Sequence, residues 1–299
     1  MTAPLPTGLS FVKGHGTEND FVLLPDPDGA RLAGLDVATV AALCDRRAGI
    51  GGDGVLRVVR TDATDDPAAV AARAEADWFM DYRNADGSLS EMCGNGIRVF
   101  GRYLVDHQGV DPSAPLPVAT RGGTKVLTFD GATVSVDMGE AAVLGETKVA
   151  VAQRSWPALH VSMGNPHAVA FVDDLRDAGA LREPPEHDAG EYPAGVNVEF
   201  VVHRGERHVA MRVHERGSGE TRSCGTGACA VMVAAALADG VDPASPSGTT
   251  YQVDVPGGRL QVTCTAERRV VLTGPAVLVA SGIVDLAALT SETRSIGAR

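Results

Sequence analysis

Alternating apolar and polar positions dominate the chain and predict many short strands. Strands are predicted at 9–24 (two strands around a polar turn), 55–59, 78–83, 125–138 (a hairpin), 158–162, 168–172, 197–203, 208–214, 250–255, 259–264 and 276–279. Apolar residues at helical spacing predict helices over 37–47, from about 95 to 107 and over 228–238. Gly109 is the expected stop of the second helix. Residues 61–77 are weakly patterned and are expected to form a surface excursion.

The same order of elements occurs twice. In each half, strands lead to a Cys-Gly-x-Gly motif that opens a helix, and a hairpin follows; the motifs begin at Cys93 and Cys224. This repetition predicts an internal duplication of an α+β unit. We expect residues 1–137, completed by the C-terminal strand 276–299, to form the first half. Residues 138–275 are expected to form the second half.

The two motif helices differ in their pattern. In the first, Ile97, Phe100 and Leu104 mark one apolar face, and Arg98 falls among the polar positions. The second, 228–238, is apolar all round, which predicts a helix buried on every side.

Composition limits the classes of function. The 299 residues favour two domains, and 44% hydrophobic with only 4% aromatic residues predicts aliphatic cores. A net charge of −12 argues against nucleic acid or an anionic membrane as a partner. No apolar run approaches the roughly 18 residues of a membrane span, and no signal peptide is visible, so a cytoplasmic location is expected. The five cysteines include no CxxC pair, which favours free thiols.

Two cysteines in matched contexts suggest acid–base chemistry. A helix N-terminus presents unpaired N–H groups and a partial positive charge, which stabilise a thiolate. Glycines beside Cys93 and Cys224 let backbone N–H groups approach a substrate carboxylate. A duplicated fold can place two thiols on opposite sides of one carbon, so that one removes a proton and the other delivers one. Cysteines 44, 229 and 264 lack this context and are expected to be core residues.

Polar residues near the motifs are weaker signals. Glu215 and Arg216 end an apolar alternation, where the first could orient or deprotonate a thiol and the second could clamp a carboxylate; a solvated charge pair is the more common outcome. His167 could polarise a thiol, although a lone histidine after Gly-Asn-Pro is more often a turn residue. Asn84 begins an Asn-x-Asp-Gly sequence that is equally typical of a plain turn.

Taken together, these blocks resemble the diaminopimelate epimerase family. They occur in the family's order over about residues 10–280 and are Gly16-Thr17-Glu18-Asn19-Asp20-Phe21, Arg83-Asn84-Ala85-Asp86-Gly87-Ser88 with Met92-Cys93-Gly94-Asn95-Gly96, Gly164-Asn165-Pro166-His167, Asn197-Val198-Glu199-Phe200, and Glu215-Arg216-Gly217 with Gly219-Glu220-Thr221 and Cys224-Gly225-Thr226-Gly227. Proline racemase carries a similar first motif, with His where this chain has Asn95.

The resemblance implies a cofactor-independent interconversion of LL- and meso-diaminopimelate, on the path to lysine and cell-wall (peptidoglycan) precursors. It implies two pseudo-symmetric domains, each a mixed or antiparallel sheet wrapped around a central helix, with the active site in the cleft between them. No cofactor and no metal are implied. A cytoplasmic homodimer is expected, with a small-molecule substrate as its ligand.

The resemblance also implies roles for particular residues. Cys93 and Cys224 are the acid–base pair, and His167 and Glu215 tune their thiols. Backbone N–H groups of Gly94-Asn95 and Gly225-Thr226 bind the reacting carboxylate. The rest of the substrate is held by Asn19, Asn84, Asn165, Asn197, Glu215 and Arg216.

Two positions depart from the family pattern. Some members carry Gln where this chain has Gly54, which puts a contact from that position in doubt. Thr226 replaces a Ser found in others, a change expected to matter little if only its N–H is used.

The residues alone leave four other interpretations of the function open. They are a proline or hydroxyproline epimerase of the same fold, a thiol redox protein in which Cys93 and Cys224 form a disulfide, a Cys/His metal site, and a phosphate-binding Gly-rich loop. The last two are disfavoured because the cysteines lack zinc-ligand spacing and neither loop matches a nucleotide-binding motif.

Overall fold

The computed structural model describes residues 8–289 and divides the chain into two compact units. The described residues up to Val134 form one unit together with those from Ala276 onward, and Ser135–Pro275 forms the other. Within residues 8–289, no helix is both long and apolar enough to cross a lipid bilayer.

The elements alternate strands with a few helices along the chain. They are β1 (Gly8–Gly16), β2 (Asn19–Pro25), α1 (Val37–Cys44), β3 (Gly54–Arg60), α2 (Pro67–Ala71), β4 (Trp78–Asn84), α3 (Gly94–Gln108), β5 (Leu116–Ala119), β6 (Lys125–Asp130), β7 (Thr133–Glu140), β8 (Ala142–Val151), β9 (Arg154–Ser162), β10 (Pro166–Phe171), β11 (Asn197–Gly205), β12 (His208–Glu215), β13 (Gly219–Thr221), α4 (Gly225–Ala238), β14 (Thr249–Val255), β15 (Gly258–Cys264), β16 (Arg269–Pro275) and β17 (Val277–Asp285). Short 3₁₀ turns lie at Thr61–Ala63 and Leu175–Ala178.

The first unit is a mixed sheet packed on α3. From β1 the pairings run antiparallel to β2, parallel to β3, antiparallel to β4, parallel to β5 and antiparallel to β6. On its other side β1 pairs antiparallel with β17, from the far end of the chain. Helix α3 contacts β1, β2, β3, β4 and β17, so it is the central helix of this unit.

The second unit repeats the pairing pattern around α4. From β9 the pairings run antiparallel to β10, parallel to β11, antiparallel to β12, parallel to β14 and antiparallel to β15. This is the same succession as in the first unit, and α4 contacts all six of these strands and also β16. The prediction of an α+β duplication, with a sheet around one central helix in each half, is therefore confirmed.

The helices fit their sequences in different ways. Helix α3 ends at Gln108, and Gly109 follows with a left-handed φ of 69° and an N–H that bonds the Leu104 carbonyl, as expected for a C-terminal stop. In α4 the residues from Gly227 to Ala236 are all buried, which confirms the all-round apolar helix. Helix α1 ends at Cys44, three residues before the predicted end, where the Asp45 side chain bonds the N–H groups of the following turn.

Several elements differ from the prediction. Residues 61–77 were expected at the surface, but they contain α2, and Ala69, Ala72 and Ala76 are buried in a small cluster with Phe79. Strand β8 was not predicted, because its side chains are mostly exposed and lack an apolar alternation. Strand β16 was also missed, and β17 runs six residues past the predicted 279. The predicted completion by 276–299 lies partly outside the described residues, from 290 onward.

Candidate active site

Cys93 caps the first central helix with its own sulfur. The residue is in extended conformation (φ −136°, ψ 122°), and its Sγ accepts from the Gly96 N–H at 3.4 Å. An N-cap side chain that accepts this hydrogen bond satisfies one of the orphan donors of the first turn. The thiol is partly exposed and lies 3.5 Å from Asn19 Oδ1. The sequence prediction of a cysteine at a helix start is confirmed for this residue.

A buried arginine organises the residues beside Cys93. Arg98 is fully buried, and its guanidinium donates to the Gly94 carbonyl at 3.2 Å and to Asn95 Oδ1 at 3.0 Å. With its oxygen so held, Asn95 turns Nδ2 to Asn19 Oδ1 at 3.1 Å. The same Asn19 oxygen faces the Cys93 thiol, so the chain of contacts runs from Arg98 to the sulfur. The sequence pattern placed Arg98 on a polar face; the structure corrects this, because the guanidinium serves buried acceptors.

Asn19 is tied on its other side to a charged network. Its Nδ2 donates to Asp53 Oδ2 at 2.6 Å, and Arg46 bonds both Asp53 and Asp20. Burial alone would raise the pKa of Asp20, but the hydrogen bonds and charges of Arg46 and Lys13 outweigh it and lower that pKa to about 2. Asn19 is thereby fixed between the Cys93 thiol and the side chain of Asp53.

Cys224 repeats the N-cap geometry at the start of α4. Its backbone is extended (φ −117°, ψ 117°), and its Sγ accepts from the Gly227 N–H at 3.4 Å. The Thr226 hydroxyl lies 3.6 Å from the sulfur. Unlike Cys93, this thiol is buried. Burial, followed by the charges of Glu215 and Glu199, raises the pKa of Cys224 well above its usual value.

Glu215 ends β12 beside this thiol. The Thr221 hydroxyl, on β13, donates to Glu215 Oε1, and β12 and β13 pair at this point. Burial raises the pKa of Glu215, while its hydrogen bonds with Thr221 and with the Cys224 side chain act in the opposite direction. The carboxylate is therefore placed to receive the Cys224 proton.

A histidine–carboxylate pair lies under the same helix start. His167 Nδ1 is 2.7 Å from Glu199 Oε1, and both side chains are fully buried. His167 Nε2 is 3.1 Å from Asn165 Oδ1, and Asn165 Nδ2 donates to the Thr226 hydroxyl at 3.4 Å. A Cβ at Gly227 would stand 2.7 Å from Glu199 Oε1, so only glycine leaves room for this carboxylate. The contacts connect Glu199 to Cys224 through three intervening side chains.

Asn197 and Arg216 lie next to each other in the second unit. Asn197 Oδ1 accepts from the Arg216 N–H at 2.9 Å, and its Nδ2 donates to the Pro166 carbonyl at 3.1 Å. Gly195, with a φ of 80°, comes close to the Arg216 stem. This arrangement fixes the backbone that leads from Glu215 to the Cys224 motif.

The structure gathers most of the predicted site residues around the two helix starts. Asn19, Gly94 and Asn95 lie at Cys93, and Asn165, His167, Glu215, Gly225 and Thr226 lie at Cys224. Asn84 is placed differently, at the end of β4, where its Nδ2 bonds Ser88 Oγ in a turn.

Sequence reasoning missed Arg98, Asp53 and Glu199 as parts of these sites. A signal existed for Glu199, since a carboxylate in an otherwise apolar strand requires a partner. At Gly54 a Cβ would lie 2.5 Å from the Arg83 carbonyl oxygen, so the Gln found in some relatives does not fit this backbone. Cysteines 44, 229 and 264 are buried and form no disulfide within residues 8–289, as expected of core residues.

Solved structures define the class of fold. A PhzF-family protein of Bacillus anthracis superposes with a TM-score of 0.66 at 15% identity, covering 93% of this chain and 99% of its own. A hydroxyproline epimerase of Agrobacterium vitis gives 0.64 at 16% identity, covering 93% and 92%. At such low identity these likenesses concern the fold, which is the two-unit architecture shared by PhzF proteins and amino-acid epimerases.

Sequence comparison is more specific. The family model for diaminopimelate epimerase matches residues 11–144 and 159–279. The diaminopimelate epimerase of Streptomyces coelicolor is 60% identical over 288 residues, covering 95% of this chain and 98% of that protein. That of Thermobifida fusca is 50% identical over 289 residues, covering 94% and 100%. The chain belongs to the diaminopimelate epimerase family, and it is an isomerase of the racemase and epimerase type.

Proposed function

We propose that the protein converts LL-2,6-diaminopimelate to meso-diaminopimelate without a cofactor, by proton transfer between two cysteines. One thiolate removes the α-proton from one face of the carbon, and the other cysteine, as a thiol, delivers a proton to the opposite face. The observation that carries this proposal is the repeated N-cap: Cys93 and Cys224 accept the same hydrogen bond, at the same distance, from the same position of their helices.

Carbanion stabilisation is the main chemical difficulty. The α-proton of an amino acid is very weakly acidic, and every 1.36 kcal/mol removed from the barrier is worth a factor of ten in rate. Gly94-Asn95 and Gly225-Thr226 are the first residues of α3 and α4, so their backbone N–H groups lie at the helix N-termini. The partial positive charge there favours an anionic carboxylate. We assign these groups to the reacting carboxylate of the substrate.

The remaining predicted residues receive supporting roles. His167 and Glu215 tune the thiols, consistent with the contacts of Glu215 to Cys224 and of His167 to Asn165. Recognition of the remainder of the substrate is assigned to a set of polar side chains: Asn19, Asn84, Asn165, Asn197, Glu215 and Arg216. A substrate with a second charged end matches the Arg216 guanidinium better than a cyclic imino acid, which lacks that end.

The biological setting follows from the reaction. Its product class supplies lysine and peptidoglycan precursor synthesis, so we propose a cytoplasmic enzyme with a small-molecule substrate. We further propose that it acts as a homodimer, free of nucleic acid and membrane.

Deuterium exchange tests the reaction directly. Reduced protein in D₂O with LL-diaminopimelate, and no added cofactor, should incorporate deuterium at the α-carbon and form the meso isomer. NMR measures the exchange and chiral chromatography the inversion. L-proline and trans-4-hydroxy-L-proline are the matched comparison substrates. Absence of exchange and inversion with diaminopimelate contradicts the proposal, and turnover of the cyclic substrates alone replaces it with the other epimerase activity.

A further inference from the structure

The contacts of His167 and Glu199 determine how many protons these two side chains hold together. Asn165 Nδ2 donates to Thr226, so its Oδ1 is the atom that faces His167 Nε2 at 3.1 Å. An amide oxygen only accepts, which requires a proton on Nε2. Across the 2.7 Å from Nδ1 to Glu199 Oε1 a second proton must lie, because two lone pairs at that distance repel. Imidazolium with carboxylate, or imidazole with carboxylic acid, satisfies both contacts, and each has zero net charge.

Glu199 lowers the stability of the fold more than a residue with a purely structural role would. It is fully buried, and within residues 8–289 its Oε2 has no hydrogen-bond partner. A buried polar atom left without a partner costs stability, and an apolar side chain of similar volume would avoid that cost. Gly227, at the second Gly of the motif, is also required to leave space for Oε1. Retention of the carboxylate at a helix start that holds Cys224 points to a role in the reaction.

We propose that Glu199 is a positioning residue of the reaction, which shares one proton with His167 and thereby holds Nε2–H on Asn165. This orients the Asn165 amide toward the Thr226 hydroxyl and, through it, the Cys224 sulfur. The inference rests on the proposed function for its kinetic consequences. The number of protons on the His167–Glu199 pair and the effect of Glu199 on the Cys224 thiol do not depend on which substrate the enzyme turns over.

The test compares Glu199→Gln with Glu199→Met. The Gln amide can donate to His167 Nδ1 and leave Nε2–H on Asn165, so kcat for diaminopimelate should stay within about threefold of wild type. The Met side chain offers no partner to Nδ1, so the histidine orientation is released. We expect kcat to fall at least about 30-fold with KM within about twofold, while the melting temperature is unchanged or higher.

Glu191→Met is the matched control. Glu191 Oε1 lies 2.8 Å from His160 Nδ1 in the same unit. This second pair is not part of the series of contacts that leads from Glu199 through His167, Asn165 and Thr226 to Cys224. Its loss should leave kcat unchanged. If Glu199→Met keeps wild-type kcat, or if Glu199→Gln loses as much kcat as Glu199→Met, the positioning role is overturned.

Two readouts remain valid without turnover. ¹⁵N NMR of the imidazole should show Nε2–H on His167 in both the wild type and Glu199→Gln; an unprotonated Nε2 in either overturns the proton count. The rate of Cys224 alkylation by iodoacetamide, followed by peptide mass spectrometry, should change at least about threefold in Glu199→Met and stay constant in Glu191→Met. An unchanged rate overturns the link to the thiol.

A wild type with this spectrum but no exchange of diaminopimelate would contradict the proposed function alone. If Glu199→Met does not fold, the Glu199→Gln spectrum and kcat decide the question.

Discussion

Cys93 and Cys224 occupy equivalent backbone positions, but the ionisable side chains buried beside them differ in kind. Both sulfurs accept the third N–H of their helix at 3.4 Å. Beside the first helix start lies the fully buried cation of Arg98, and beside the second lie the carboxyl groups of Glu199 and Glu215. The duplication has therefore preserved the position of each thiol and changed its electrostatic surroundings.

This difference bears on the protonation of Cys224. Burial, followed by the charge of Glu215, raises the pKa of Cys224 well above its usual value. At Cys93 the contacts run through neutral amides to a guanidinium, which cannot lose its charge. The proposed reaction would thus use two thiols in chemically distinct surroundings, and mutations can test how far each thiol depends on its own surroundings.

The largest effect is expected from removing either thiol. Cys93→Ala and Cys224→Ala should each lower inversion of diaminopimelate at least about 10³-fold, because each face of the carbon needs its own proton donor or acceptor. Any residual α-hydrogen exchange should be confined to one stereoisomer in the first variant and to the other stereoisomer in the second. Chiral analysis of deuterated substrate measures this. Cys264→Ala, a buried thiol in β15, is the control; exchange of the same stereoisomer by both variants would refute the assignment of opposite faces.

Glu215→Gln tests the carboxylate side of the comparison. The negative charge of Glu215 raises the pKa of Cys224, so its removal should lower that pKa and shift the pH midpoint of Cys224 alkylation downward. Turnover should fall about 10²-fold, because the thiol loses an acceptor for its proton. Glu220→Gln is the control, since Glu220 lies in β13 of the same hairpin and pairs with Arg212. An upward shift of the midpoint would show that Glu215 does not act through its charge.

Arg98→Met tests the cationic side. It removes a buried donor and leaves the Gly94 carbonyl and Asn95 Oδ1 without it, so the free energy of unfolding should fall by about 2 kcal/mol. Arg102→Met, four residues further along the same helix, breaks a partly exposed pair with Asp106 and an exposed hydrogen bond to the Gly131 carbonyl, and should cost less than about 1 kcal/mol. Urea unfolding compares the two. Equal losses would mean that the buried guanidinium has no special part in this helix start.

The smallest effect concerns Thr226. Its hydroxyl contacts both Asn165 and Cys224, so Thr226→Ser should keep kcat within about twofold, whereas Thr226→Val should lower it about tenfold. Steady-state kinetics of the two variants measures this. A Val variant with wild-type activity would show that only the backbone N–H of this residue is used, which was the expectation from sequence.

Local pattern predicted much of the fold because the two central helices and most strands carry strong periodicity. The apolar run of α4 and the stop at Gly109 are read directly from their residues. Strand β8 could not be found in this way, since its exposed side chains leave no apolar face. Segment 61–77 was misjudged because alanine, which is neutral to pattern, forms its small core.

Site residues were predictable where they belong to a sequence motif. Residues that contact a motif from another part of the chain were not. The two cysteines and their glycines are contiguous in sequence, so their helix-start geometry followed from the motif. Arg98 lies on a helix face that reads as polar, and only the close approach of buried acceptors reveals why it is inside. Asp53 reaches Asn19 across 34 positions of sequence, a contact that no local pattern encodes.

The pairing of β1 with β17 has a consequence for the order in which the chain can fold. Eight residue pairs from Gly8 to His15 join strands at opposite ends of the sequence. A ribosome adding about 5–20 residues per second releases β1 some tens of seconds before β17 emerges. The second unit is continuous from Ser135 to Pro275, so all of its strands are available earlier. The half that begins first is therefore completed last, and during synthesis β1 presents an open strand edge to any neighbouring nascent chain.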